Sequence, residues 1–249
     1  MMKSEHKDAF LRLETEFPPV AVKFHGDSPK NVPLTDKKMA LCQFAKEVQT
    51  TGKHFYIDND SESCSGGICL GMRPLDANHA SGQVGADSEL YETPAANAKL
   101  HTRYPILPEG TARYVEFCPL EKCEFDPDLV ICVADIPQAE IIMRATSYIS
   151  GDLWEQKSSI VNSCAWLYAY PYVSGKVNFC ITGMHFGMKR LGVYPPGLYI
   201  ISIPHQKLEE VGRALAEMPW IPLPFRTDEE SIMEMERRKA SWKHISIEK

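Results

Sequence analysis

Two hydrophobic periods alternate along the chain. Phe10, Leu11 and Leu13 stand between charged positions and predict a helix over residues 5–16, which Pro18 and Pro19 stop. Val20-Ala21-Val22-Lys23-Phe24 then predicts a strand with Lys23 opposite its neighbours, followed by a turn-rich loop over 26–33. Met39, Leu41, Phe44, Ala45 and Val48 carry the apolar side of a helix over 36–50, with Thr35 or Asp36 as its cap and Gly52 beyond its end. Lys53–Ile57 reads as a strand, the glycine-containing stretch 61–71 as a loop, and the polar stretch 76–88 as a surface loop. A helix is expected over 86–101, either kinked at Pro94 or with its second part starting there.

Arg113–Phe117 is the next strand, and 119–127 is an acidic turn region. Leu129–Ala134 is a continuous apolar run with β-branched residues, the pattern of a buried central strand, with Cys132 as core filler. Pro137 suits the first turn of a helix that runs to about Ile149. Val161, Cys164, Ala165 and Tyr168 predict a helix over 158–170. Strands follow at 177–180 and 198–203, then a helix over 205–217, a connector with Pro219, Pro222 and Pro224, and a charged helix over 227–243. The fold class is α/β (or α+β): a single mixed-sheet domain flanked by helices over 1–217, with 218–249 as a proline-rich connector and C-terminal helical extension.

Composition narrows the function. The 249 residues are 44% hydrophobic and 24% charged, which is ordinary for a folded globular chain. The net charge of −6 argues against nucleic acid as the partner. No apolar run approaches the roughly 20 residues that span a bilayer. The start, Met-Met-Lys-Ser-Glu-His-Lys-Asp, leads into no apolar signal segment, so the expected compartment is the cytoplasm, with no membrane partner. Thiols stay reduced there, so eight cysteines point to metal binding, catalysis or burial before disulfides. Dinucleotide, P-loop, nucleophile-elbow, H-E-x-x-H and C-x-x-C fingerprints are all missing.

The thiols differ in setting. Cys64/Cys69 and Cys118/Cys123 each have four residues between them, a spacing metal ligands tolerate but do not require. Cys64 sits beside Gly66 and Gly67, which let backbone come close to whatever the sulfur holds. Cys180 ends a strand before Gly183, and His185 lies five residues on as a candidate base for a thiolate. Cys42 and Cys164 fall within helices, where a cysteine ordinarily serves as a small buried hydrophobe. His25, His79 and His101 fall in loop-like, solvated places. Lys23 on an apolar strand either binds an anion or snorkels from a sheet edge.

Phe-Pro-Pro-Val-Ala-Val-Lys-Phe (17–24), Cys-Gln (42–43), Cys-Ser-Gly-Gly with Leu-Gly (64–71), Asp-Pro-Asp-Leu-Val-Ile (126–131), Pro-Gln-Ala-Glu (137–140), Cys-Ala-Trp (164–166) and Gly-Lys-Val-Asn-Phe-Cys (175–180) follow one another in order. This ordered set resembles the domain-of-unknown-function family 169 over about residues 5–217, a family spread through anaerobic bacteria and archaea with no general activity assigned. The resemblance places the family's cysteines at Cys42, Cys64, Cys164 and Cys180 and leaves Cys69, Cys118, Cys123 and Cys132 outside. It implies a four-thiolate site for one [4Fe–4S] cluster, with structural zinc as the alternative. After Cys180 the chain departs from the family, with Met184–Arg190 and Pro195-Pro196-Gly197. The expectation is an iron–sulfur protein for electron transfer or small-molecule redox chemistry. Gly66 and Gly67 would floor the pocket, and Lys23 and Arg190 would contact an anion. The alternatives are a zinc-bearing or metal-free ligand-binding protein with structural cysteines, or a thiol enzyme using Cys64 or Cys180. The partner is a small molecule or a redox partner, and the C-terminal helix is available as a homodimer arm.

Overall fold

The computed structural model describes residues 2–242. The chain forms two compact units, Met1–Ala216 and Glu217–Lys249. The first is an α/β unit built on six strands: β1 (Phe17–His25), β2 (Phe55–Ile57), β3 (Tyr114–Pro119), β4 (Leu129–Ala134), β5 (Asn178–Ile181) and β6 (Tyr199–Pro204). Their order is β2-β3-β1-β4-β6-β5, and all five ladders are antiparallel. The apolar run 129–134 is the central strand its composition predicts, with all six residues buried. The first edge strand, β2, is covered by chain on its outer side. Tyr56 N–H donates to Pro33 O at 3.0 Å and Tyr56 O accepts from Thr35 N–H at 2.9 Å, closing a parallel bridge.

The helices are α1 (Ser4–Leu11), α2 (Leu41–Thr51), α3 (Gly66–Cys69), α4 (Ala77–Ser81), α5 (Gln83–Asp87), α6 (Pro94–His101), α7 (Ile136–Ser147), α8 (Tyr170–Ser174), α9 (Phe186–Arg190) and α10 (His205–Glu217). Strand register divides the core into two layers, because side chains directly opposite each other in an antiparallel pair share a face. Val22 and Phe117, Leu129, and Ile200 and Cys180 point to one face. There they pack in one apolar cluster with α2 and the stretch after Ser163. Ala21 and Cys118, and Cys132 and Ile201, point to the other face, towards α1 and α7. Cys42, Cys69, Cys164 and Cys180 lie within the first cluster, and Cys64 packs against it.

Several expected elements come out differently. Helix α2 starts at Leu41 instead of 36, because 33–39 is bound to neighbouring chain: Met39 N–H donates to Ser61 O and Ser63 N–H to Met39 O, both at 3.0 Å. The expected surface loop at 76–88 forms α4 and α5. Asp76 Oδ1 accepts from His79 N–H at 3.0 Å to cap the first, and Gly82 in the left-handed region separates the two. The expected helix at 158–170 begins only at Ser163 and opens through a π-helical turn, Ala165–Ala169. A fully buried side chain, Asn178, holds Lys157 in the preceding segment and keeps it out of the helix. Its Oδ1 accepts from Lys157 N–H at 2.9 Å, and its Nδ2 donates to Lys157 O and Trp166 O. Pro94 opens α6 behind the Thr93 cap, so it starts that helix instead of kinking a longer one.

The second unit contains a 3-10 turn at Leu223–Phe225 and helix α11 (Glu229–Trp242), capped by Asp228 Oδ1 on Ser231 N–H at 2.8 Å. Glu234 pairs with Arg237 and Arg238 along its exposed side. The expected helix end at 243 lies outside the described residues.

One buried carboxylate ties the strand edge together. Glu116 on β3 is 4% exposed and takes His25 Nε2 of β1 and His54 Nε2, just before β2, at 2.6 Å each. Burial alone would raise its carboxyl; hydrogen bonds from His54 and then His25 outweigh that and hold it below the ordinary 4.5. A depressed carboxyl stabilises the fold above its unfolded value and loses that contribution as pH falls through the folded value. Glu116→Gln should therefore cost about 1–3 kcal/mol in urea unfolding at neutral pH. The gap to wild type should be full above pH 4.5 and close as pH drops below it. A gap that widens in acid would refute this account.

Candidate functional site

The stretch 58–73 is organised around Glu62, whose side chain is 0% exposed. Its Oε1 accepts from Leu41 N–H at 3.2 Å and Cys64 N–H at 3.0 Å. Its Oε2 accepts from Gly67 N–H at 3.0 Å and from Arg73 Nη2 at 2.5 Å. Arg73 also donates to Asn59 Oδ1 and to the carbonyls of Glu62 and Cys64. A buried carboxylate is tolerable when its lone pairs are filled by amides and a guanidinium, and here they are. The two glycines fit this packing. A Cβ on Gly66 would lie 2.7 Å from Leu41 Cβ, and one on Gly67 would lie 2.4 Å from Arg73 Nη1 and 3.0 Å from Glu62 Oε2. Their close approach is to Leu41, Glu62 and Arg73.

Above this loop lies a cleft of about 420 Å³. Cys64, Arg73, Asp76, His79, Asn97, His101, Asn162, Phe186 and Arg190 all line it. Cys64 is half-buried, whereas the other seven cysteines are buried, so it is the thiol that solvent and ligands reach. His79 Nδ1 meets Asp76 Oδ2 at 2.6 Å, and His101 Nδ1 meets Tyr104 Oη at 2.9 Å. The two imidazoles stand edge to face with centroids 6.4 Å apart. Burial, and then the charge of His79, lowers the pKa of His101 and favours its neutral form. Arg190 lies 5.7 Å from the Phe186 ring centroid and has no ion-pair partner among the described residues.

The eight thiols sort by place. Cys42, Cys64, Cys69 and Cys164 are electrostatic neighbours, with Glu62 close by. Burial, and then the neighbouring Cys64, pushes the Cys42 thiol up to about 12. Burial followed by Cys42 raises Cys164 well above the ordinary thiol value. Cys180 sits apart beside Ser158, at 4.0 Å, and burial pushes it up to about 12. Ser158 Oγ in turn meets His185 Nε2 at 2.9 Å, so a hydroxyl stands between Cys180 and the histidine expected as its base. Lys23 lies across the sheet and donates to Asp126 O at 2.6 Å, so it does not join Arg190 at one site.

A family profile, described as uncharacterised ArCR and numbered 169 among domains of unknown function, matches residues 10–214. The chain belongs to this family. No curated protein and no solved structure matches it. Cys42, Cys64, Cys164 and Cys180, the four expected as ligands, all lie on the same layer of the sheet, and Cys118, Cys123 and Cys132 lie on the other. As arranged, the described side chains form no ready-made site for a single metal ion. Among the described residues, no three His, Cys, Asp or Glu groups are placed to hold a metal. The void between Cys42 and Cys164 is about 10 Å³, at the lower limit for a single water.

Sequence reasoning singled out Cys64 and Arg190 and missed the residues that frame them. Glu62 and Arg73 are eleven positions apart and carry no motif. His79 was read as solvated because α4 was hidden in a short polar run, and His101, at the end of an expected helix, because nothing local showed what it faces. The one local signal was the Asp76-x-x-His79 spacing of a helix cap.

The glycine packing gives a direct check. Gly67→Ala and Gly66→Ala should each destabilise the fold by about 1–3 kcal/mol in urea unfolding, since the new methyl displaces Arg73 or Leu41. Gly187→Ala, with open space around its Cβ and no left-handed backbone, should stay within about 0.5 kcal/mol of wild type. Equal effects at all three positions would count against the packing described.

Proposed function

We propose that this protein binds a small molecule bearing a carboxylate or phosphate in the cleft above residues 61–73, with the Cys64 thiol at the bound ligand's side. The observation that carries this reading is the convergence on one 420 Å³ cleft of the half-buried thiol, two imidazoles and a guanidinium without an ion pair among the described residues. Such a volume suits a metabolite-sized ligand, and a few convergent polar groups in a concave site orient it. Arg190 supplies a planar, permanently charged donor set for an anion. Arg73 is committed to Glu62 and shapes the floor.

A charge-matched pair of alkylating reagents tests this. Normalised to free cysteine, Cys64 should react faster with anionic iodoacetate than with neutral iodoacetamide. Arg190→Ala should reduce that preference about threefold, the scale of one exposed cation. The preference is read by mass spectrometry of the Cys64 peptide. No preference in the wild type, or one that Arg190→Ala leaves intact, sinks the reading.

A [4Fe–4S] cluster on Cys42, Cys64, Cys164 and Cys180 is the second reading. It is favoured by the placement of all four on one face and by the proximity of Cys42, Cys64 and Cys164. Binding there requires the packed layer to open and Cys180 to approach. Protein purified without oxygen should then carry iron and sulfide in equal amounts, near four of each per chain, and substituting any of the four cysteines with serine should remove them. Metal-free, colourless protein under those conditions rules the second reading out.

A further inference from the structure

Two residues that line the cleft each carry a buried side-chain atom with no hydrogen-bond partner among the described residues, and the two atoms are of opposite kind. Asn97 on α6 is 4% exposed; its Nδ2 donates to Gly82 O at 3.1 Å, which leaves Oδ1 as an acceptor without a partner among the described residues. Asn162, held at φ +56° just before the helical turn, accepts from Ser65 Oγ through Oδ1 at 3.1 Å, which leaves Nδ2 as a donor without one. A buried polar atom is normally paired, and the two residues that carry these atoms line the same cavity, so a small side-chain rotation brings either atom to a ligand. Charge follows the same division. The segment that supplies the free acceptor, 76–101, also supplies the Asp76 carboxylate to the lining; the segment that supplies the free donor, 161–190, also supplies Arg190.

From this we infer that the ligand is a zwitterion of the α-amino-acid class, with its ammonium group on Asn97 Oδ1 and the Asp76 side and its carboxylate on Asn162 Nδ2 and Arg190. The inference rests on the proposed cleft and names what that cleft selects. A simple carboxylate would satisfy Arg190 and Asn162 but leave the Asn97 acceptor unpaired. A site built to receive a donor discriminates against an analogue that lacks it, because its own buried group then stays unmade. Phe186 and Val161 supply apolar lining for a side chain.

Matched acids test it on the full-length protein. L-alanine, L-leucine and L-glutamate are each compared with propanoate, 4-methylpentanoate and glutarate, which differ by the α-amine. The readouts are calorimetric affinity and protection of Cys64 from iodoacetamide. At least one amino acid should bind about tenfold more tightly than its deaminated partner. Asn97→Leu should bring the two within about threefold of each other, while Asn162→Asp, which keeps the acceptor for Ser65 but removes the donor, should weaken both about tenfold. The second variant sits on a different element, so the test survives if the first does not fold. Equal binding of amino and deaminated acids, no binding by any pair, or a preference untouched by Asn97→Leu overturns the inference. If Cys64 still prefers iodoacetate in an Arg190-dependent way, the cleft reading survives that failure; if that preference is also lost, both fall together.

Discussion

The candidate site depends on burying one carboxylate. Glu62 has no access to water, so its oxygens must be met by protein, and the backbone from Leu41 to Gly67 is shaped to meet them. Three amides from two segments converge on a single side chain, and Arg73 closes the set. A buried ion pair is not an efficient source of net stability, since desolvation offsets much of the attraction. What it supplies is registration. The helix carrying Cys42 and the loop carrying Cys64 cannot shift relative to each other without exposing an unpaired charge. The glycines fit the same constraint, because a side chain at either would meet Leu41, Arg73 or the carboxylate itself.

Most of the sheet was legible because its code is short-range. The apolar run 129–134 reads as a buried strand from six consecutive residues, and helix 205–217 matches its periodicity to the residue. Two of the misread elements share a cause: contact with a distant part of the chain overrode a local pattern. Val161, Cys164, Ala165 and Tyr168 have helical spacing, yet Asn178, on the following strand, holds Lys157 out of the helix, which begins only at Ser163. The start of α2 moved for the same reason, through backbone bonds to Ser61 and Tyr56. At the site, the reactive residue types were visible but their frame was not. A thiol and an arginine announce chemistry by themselves. A glutamate that serves as an acceptor for backbone amides looks like any surface acid until the fold is known.

The cysteines show how far a motif reaches without coordinates. Strand parity alone separates Cys180 from Cys132 and Cys118, since Cys180 pairs with Ile200 on one face while the others pair with Ile201 and Ala21 on the opposite face. The layer boundary sets Cys118, Cys123 and Cys132 apart from the other five thiols. Cys69, not expected as a ligand, lies in the same layer as the four that were, close to Glu62 and Cys64, and is fully buried. Within the layer, burial disfavours thiolate at Cys42, Cys164 and Cys180 alike, so what distinguishes Cys64 is access.

The covering of both sheet edges has a consequence for how this chain meets others. An open edge strand is a template for strand addition, the commonest route to unintended β-assembly. At β2 the segment 33–35 takes up the outward N–H and carbonyl of Tyr56, and at β5 Gln156 Nε2 takes the Phe179 carbonyl while Lys157 is held by Asn178. The β2 rim is thus taken by backbone of the same chain, and the β5 rim is met by the Gln156 side chain and by Lys157. Growth by extending the sheet is opposed at these positions.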